Sequence, residues 1–251
     1  MAGNSPKDLF SRQAESYARY RPSYPERLFE YVASLPRERR LAWDCATGNG
    51  QAAAGLAPYF DAVLATDMSA RQIELARRHP GITYQIAPAE RSPLADASAD
   101  LVTAATAAHW FDLEKFYAEV RRVAKPGGAI ALWCYSNQRS IVSPIGEIVR
   151  RLEEEIVGPY WEPETHYVIE HYKTLPFPFK EVEAPALRMS VSWNLSRLLG
   201  YLSSWSATQK YLRARGENPL DLIEPEMKAA WGDPRRLVRI GWDLHIRAGR
   251  V

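Results

Sequence analysis

Between Leu41 and Tyr135 short apolar runs alternate with segments of helical period, and this alternation constrains the fold more than any other feature of the chain. Strands buried on both faces read as continuous apolar runs, and parallel neighbours need a crossover between them, usually a helix. The first run is Leu41-Ala42-Trp43-Asp44-Cys45-Ala46, followed by a glycine turn and an alanine-rich helix over residues 51–56. The second covers residues 62–66 and closes on Asp67, after which Ser69 has the chemistry of an N-cap. That helix carries Ile73, Leu75 and Ala76 toward Arg77, Arg78 and His79, and Pro80 and Gly81 stop it. Residues 82–87 and 100–105 read as the third and fourth strands, and residues 113–124 as a helix. Lys125-Pro126-Gly127-Gly128 reads as a turn, with residues 129–135 as the fifth strand. The expected class is therefore α/β, a doubly wound, Rossmann-like sheet.

The flanks are less regular. Residues 10–33 look helical with interruptions at Pro22 and Pro25, carry Tyr17, Tyr20 and Tyr24, and are expected to cover the open edge of the sheet. Residues 141–157 form an amphipathic pattern, and the aromatic, proline-rich stretch 158–179 reads as a lid rather than a core element. Residues 182–193 and 237–246 read as two further strands, separated by helical segments at 196–215 and 219–231. A single domain is expected over 1–251: an N-terminal helical lid over 1–40, a cofactor-binding core over 41–136, and a substrate lid with the final strands over 137–251.

Composition excludes several classes. With 46% hydrophobic and 25% charged residues in 251, the chain has enough apolar content to fold. Its formal charge of +2 and scattered basic residues leave no field to steer a nucleic acid. No stretch approaches the ~20 apolar residues of a membrane span. Cys45 and Cys134, each inside an apolar run, form neither a disulfide framework nor a zinc site, and the histidines lack metal-ligand spacing. A cytoplasmic monomer or homodimer without metal, nucleic-acid or membrane partners is expected.

The strongest local signal is Asp44-Cys45-Ala46-Thr47-Gly48-Asn49-Gly50, between the first strand and the first helix. Glycine there lets backbone approach a ligand, and Gly48-x-Gly50-x-x-Ala53 also fits a dinucleotide fingerprint. Asp67, nineteen residues past Gly48 at a strand end, stands near the ~20-residue offset at which a carboxylate meets ribose hydroxyls. Asp44 ends the strand ahead of the glycines, an arrangement suited to a ligand with a sulfonium or ammonium end. A nicotinamide-dependent oxidoreductase remains the alternative.

Residues 10–135 resemble the class I S-adenosylmethionine-dependent methyltransferases, with Asp44-x-Ala46-x-Gly48-x-Gly50 standing for their acid-x-Gly-x-Gly-x-Gly loop and Ala46 replacing the first glycine. Tyr17, Tyr20-Arg21-Pro22, Tyr24-Pro25, Ala89-Glu90, His109-Trp110-Phe111 and Lys125-Pro126-Gly127-Gly128 are similar to the trans-aconitate methyltransferase-like branch. The resemblance implies a seven-stranded sheet of order 3-2-1-4-5-7-6 with the last strand antiparallel and helical, aromatic lid insertions. It also implies S-adenosyl-L-methionine as cofactor. Asp44 and the Ala46, Thr47, Gly48 and Gly50 backbone would flank its methionine and ribose, Asp67 would hold the ribose, Met68 would lie against the adenine, and Ala89 and Glu90 would border it. Pro88 stands where many relatives have an acid for the adenine amino group.

Methyl transfer from a sulfonium is an in-line displacement that needs positioning and exclusion of water, not a metal or covalent intermediate. His109, just past the fourth strand, is the candidate base for a hydroxyl or amine acceptor, with packing as the other reading. Tyr20 and Arg21 are candidates for clamping a carboxylate on cofactor or substrate; Trp110, Tyr135 and Trp193 are candidates for lining the acceptor pocket. The expected acceptor is a small molecule, with carboxyl O-methylation favoured through the resemblance and N- or hydroxyl O-methylation as alternatives.

Overall fold

The fold is described from a computed structural model, over residues 20–135 and 144–251. Tyr17, the expected helical stretch before residue 20 and the start of the 141–157 helix lie outside the described residues. The strands are β1 (Leu41–Cys45), β2 (Ala62–Asp67), β3 (Ile82–Ile86), β4 (Ala99–Ala105), β5 (Ala124–Tyr135), β6 (Lys180–Val182), β7 (Leu187–Trp193) and β8 (Val238–Arg250). They form one sheet in the order β3-β2-β1-β4-β5-β8-β6, with β7 also paired to β8. β1 to β5 are parallel; β8 runs antiparallel to β5.

The expected strand order is therefore present, with its last position divided. β6 pairs with the end of β8 (Val182 against Ala248) and β7 with its earlier part (Leu187 against Leu244). The single strand expected over 182–193 breaks around Pro185, which has no N–H to give the ladder.

Helices α1 (Glu26–Ser34) and α2 (Gln51–Leu56) contribute Leu28, Phe29, Val32 and Leu56 to the core on one sheet face. A Cβ at Gly55 would stand 2.1 Å from the Phe29 ring, so α1 lies directly on α2 and covers a face of the sheet rather than its open edge. α3 (Ala70–Glu74) is capped by Ser69 as expected, but ends before Leu75 and Ala76. Arg77 N is engaged instead with Asn49 O at 3.1 Å, which takes that backbone out of the helical ladder. α4 (Leu113–Val123), capped by Asp112, buries Phe116, Val120 and Val123 on the opposite face. Lys125 to Gly128 lies inside β5 rather than in a turn: the β4–β5 register shifts between Ala99 and Leu101, and Gly127 takes φ +79°.

After residue 144 come α5 (Ile145–Arg151), α6 (His166–Ile169), α7 (Leu195–Ser203), α8 (Ser206–Arg215) and α9 (Glu224–Trp231). The stretch 158–179 differs from the expected lid. Tyr172 and Leu175 are buried in the second core layer, and the Arg247 guanidinium gathers the carbonyls of Tyr172 (3.1 Å) and Leu175 (2.6 Å). No helix of the described residues is long and apolar enough to cross a membrane.

Candidate active site

The site lies at the carboxyl ends of β1, β2 and β4, where an open α/β sheet leaves a crevice. Past β1 the backbone takes positive φ at Ala46 (52°), Gly48 (57°) and Gly50 (78°). Ala46, where the loop pattern has glycine, adopts the left-handed conformation despite its Cβ, at a cost of ~1–2 kcal/mol. The turn is held by Thr47 N to Thr66 O at 2.9 Å and Gly50 N to Thr47 O at 3.0 Å. Beneath it Asp44 is fully buried, accepting from the Thr47 hydroxyl at 2.5 Å and the Thr103 hydroxyl at 2.8 Å. Burial pushes its carboxyl up to about 6.

Asp67 ends β2 facing the same loop. One carboxylate oxygen accepts from Gly48 N at 2.9 Å and the other from Ser69 N at 2.8 Å. Burial raises its pKa even against those two donors.

A cavity of about 400 Å³ opens above these strand tips. Of the residues singled out in the sequence, Ala46, Thr47, Gly48, Asp67, Met68, Ala89, Glu90 and Trp110 line it. Met68, Ala87, Ala89, Trp110 and Phe111 give the lining apolar surface, and Asp67 and Glu90 give it acceptors. Glu90 also accepts from Asp112 N at 3.1 Å.

Asp44, Gly50, Tyr20, Arg21, His109, Tyr135 and Trp193 are not part of the lining. Asp44 is buried in β1 beneath the loop, and Gly50 ends the loop as the N-cap of α2. Tyr20, Arg21, Tyr135 and Trp193 are brought together elsewhere, in an aromatic cluster built on β5, β7, β8 and α7. Arg21 donates to the Tyr135 hydroxyl at 3.1 Å and lies 5.3 Å over the Tyr201 ring. Trp193 packs on Tyr201 and Trp242, and Arg197 stands over both Tyr20 and Trp193. Tyr24 joins the two regions: it lines the cavity and meets Trp133 and Tyr135 edge-on at 5.7 and 6.4 Å.

His109 does not present itself as a base. Its ring is buried against Trp110, Nδ1 lies 2.9 Å from the Tyr172 hydroxyl, and burial lowers its pKa to about 3. The 3-10 turn at the end of β4 turns Trp110 toward the cavity and His109 into the core.

Sequence reasoning passed over Thr106 and gave Tyr24 no site role. Thr106 takes φ +53°, and its hydroxyl is 3.4 Å from that of Tyr24. A non-glycine residue in the left-handed region at a strand tip is a recurrent mark of a functional site, but only the backbone reveals it.

The match to known proteins is of one kind. Residues 43–132 match the family model described as a methyltransferase domain. A protein of Dictyostelium discoideum named as a methyltransferase is 31% identical over 227 residues, covering 89% of this chain and 86% of that protein. The chain belongs to the class I S-adenosylmethionine-dependent methyltransferases. A structure from Anaeromyxobacter dehalogenans, described as a type II methyltransferase, superposes on this methyltransferase with a TM-score of 0.85 at 44% identity, covering 92% of this chain and 98% of that one. An uncharacterized methyltransferase of Mycobacterium tuberculosis is 30% identical over 167 residues, 65% of this chain and 68% of its own. This assignment removes the oxidoreductase alternative.

The donor set fits the cofactor of such a methyltransferase, S-adenosylmethionine. A carboxylate at the β2 tip suits ribose hydroxyls, and the apolar part of the lining suits a purine. The volume is in the range of small-molecule sites. When bound, the cofactor supplies an electrophilic methyl group on a sulfonium. The residues of the chain then have to hold it, orient an acceptor and keep water out.

Proposed function

We propose that this methyltransferase acts on a small-molecule carboxylate, forming a methyl ester, as the trans-aconitate methyltransferase-like resemblance implies. The reading rests chiefly on the engagement of the two carboxylates that line the cavity and on the burial of His109 away from it. Asp67 accepts from Gly48 N of the loop with one oxygen and from Ser69 N with the other, Glu90 accepts from Asp112 N, and His109 is turned to Tyr172 with its pKa depressed. An acceptor ionised at neutral pH needs orientation rather than a base, and carboxylates meet that condition.

The orienting groups in this reading are the hydroxyls of Tyr24 and Thr106, two residues of the lining whose hydroxyls can donate to a carboxylate. Arg21, held on the Tyr135 hydroxyl, adds positive charge one ring behind Tyr24, and Arg197 stands farther back over Tyr20 and Trp193. Asp67 and Met68 hold the cofactor's adenosine, while the Ala46 to Gly48 backbone borders its amino-acid end. Trp110 and Phe111 exclude water from the cavity.

The deciding experiment is methyl transfer from labelled S-adenosylmethionine to panels of small carboxylic acids, phenols and amines. A carboxylate acceptor gives an alkali-labile methyl ester at a rate nearly flat between pH 6 and pH 9. Labelling of amines or phenols alone, with a rate that climbs with pH, would overturn the carboxylate reading.

A further inference from the structure

Tyr84 lies on the edge strand β3, whose other residues after Ile82 are exposed, yet its ring is turned inward and half buried. It does not line the cavity. A Cβ on Gly50 would fall 2.2 Å from the Tyr84 hydroxyl oxygen and 3.0 Å from the ring, so the phenol rests directly on the backbone of the last loop glycine. The hydroxyl donates to Arg77 O at 2.7 Å, and the N–H of the same Arg77 donates to Asn49 O at 3.1 Å. Asn49 lines the cavity, and Gly50 is the N-cap of α2.

We infer that Tyr84 is a positioning residue for the cofactor loop: through Arg77 it clamps Asn49 and Gly50 in the conformation that receives S-adenosylmethionine. The loop combines three consecutive alternate residues at positive φ, one of them an alanine, and such a backbone keeps one geometry only when its surroundings over-determine it. β2 supplies both Thr66 O, to Thr47 N, and the Asp67 carboxylate, to Gly48 N; Tyr84 and Arg77 hold the far end of the loop, where Gly50 rests on the Tyr84 phenol. The early end of α3 has a use in this account, because a helix continued through Arg77 would commit that N–H to a helical carbonyl. Burial pushes the Tyr84 hydroxyl up to about 12, so it remains a donor throughout the working range.

The test compares Tyr84→Phe with Tyr117→Phe. The Tyr117 hydroxyl makes an analogous bond, to Pro176 O at 2.6 Å, but packs in the other core layer. Calorimetric titration with S-adenosylhomocysteine measures binding without turnover, and amide exchange at Gly50 reads the loop. The expected result for Tyr84→Phe is a dissociation constant raised about three- to tenfold, in keeping with one lost hydrogen bond, with faster exchange at Gly50. At saturating cofactor, kcat and the acceptor KM stay near the parent values. Tyr117→Phe lowers the melting temperature but leaves affinity unchanged. Unchanged affinity in Tyr84→Phe, or an equal loss in both variants, would overturn the assignment.

Discussion

Asp67 accepts from the backbone N–H of Gly48 at 2.9 Å, across a separation of 19 residues, and this bond ties the tip of β2 to the loop after β1. The second carboxylate oxygen, on Ser69 N, starts the next helix. One side chain therefore joins three pieces of the cavity wall, and in the proposed reading its remaining lone pairs accept from the ribose hydroxyls. Replacing Asp67 with alanine should weaken cofactor binding by ~1–3 kcal/mol through lost charge-assisted bonds. Calorimetry checks this, and affinity equal to the parent would dismiss the ribose role.

His109→Gln should keep methyl transfer within about tenfold of the parent, because loss of a true general base costs ~10²–10⁴-fold. Steady-state kinetics at saturating acceptor decide between the two.

The same residue makes a prediction about pH. Burial lowers the folded pKa of His109 to about 3, below its ordinary value of 6.5, so the unfolded chain binds this proton first as pH falls. Its contribution to stability is complete above about pH 6.5 and is lost as pH drops toward about 3. The stability of the parent relative to His109→Gln should thus shrink below pH 6.5, approaching ~1.4 kcal/mol per pH unit. Asp44 acts in the opposite sense, since its raised pKa favours the folded chain at low pH and that benefit fades as pH climbs from about 4 to about 6. Denaturant unfolding at several pH values, with Asp44→Asn as a second variant, separates the two slopes.

Gly50→Ala meets two obstacles at once, a left-handed φ of 78° and the Tyr84 hydroxyl 2.2 Å from the new Cβ. A loss of ~2 kcal/mol or more in unfolding free energy is expected, together with weakened cofactor binding. Chemical denaturation gives the first quantity; a variant as stable as the parent would contradict the described loop.

Tyr24→Phe removes a hydroxyl that lies 3.4 Å from Thr106 but keeps the ring on Trp133 and Tyr135. Acceptor KM should rise about three- to tenfold while cofactor affinity stays within about twofold. A shift confined to cofactor affinity would move Tyr24 from the acceptor side to the cofactor side.

Much of this was legible in the chain because it is local. The alternation of apolar runs with helical period, the glycines at 48 and 50 and the Asp67 offset are each encoded within about twenty residues, by side-chain volume and φ preference. They determined the parallel core, the loop and most of the cavity floor. The tertiary structure alone decided which side chains reach that cavity. His109 and Trp110 are neighbours in sequence, yet one faces Tyr172, 63 residues away, and the other lines the cavity. Arg21 meets Tyr135 across 114 residues, and Tyr84 rests on Gly50 from an edge strand. The break of the last sheet position around Pro185 shows only where β8 offers two separate partners. The reason is physical: period and turn stereochemistry act along the chain, whereas burial, hydrogen-bond partnership and pKa arise from segments that are neighbours only after packing.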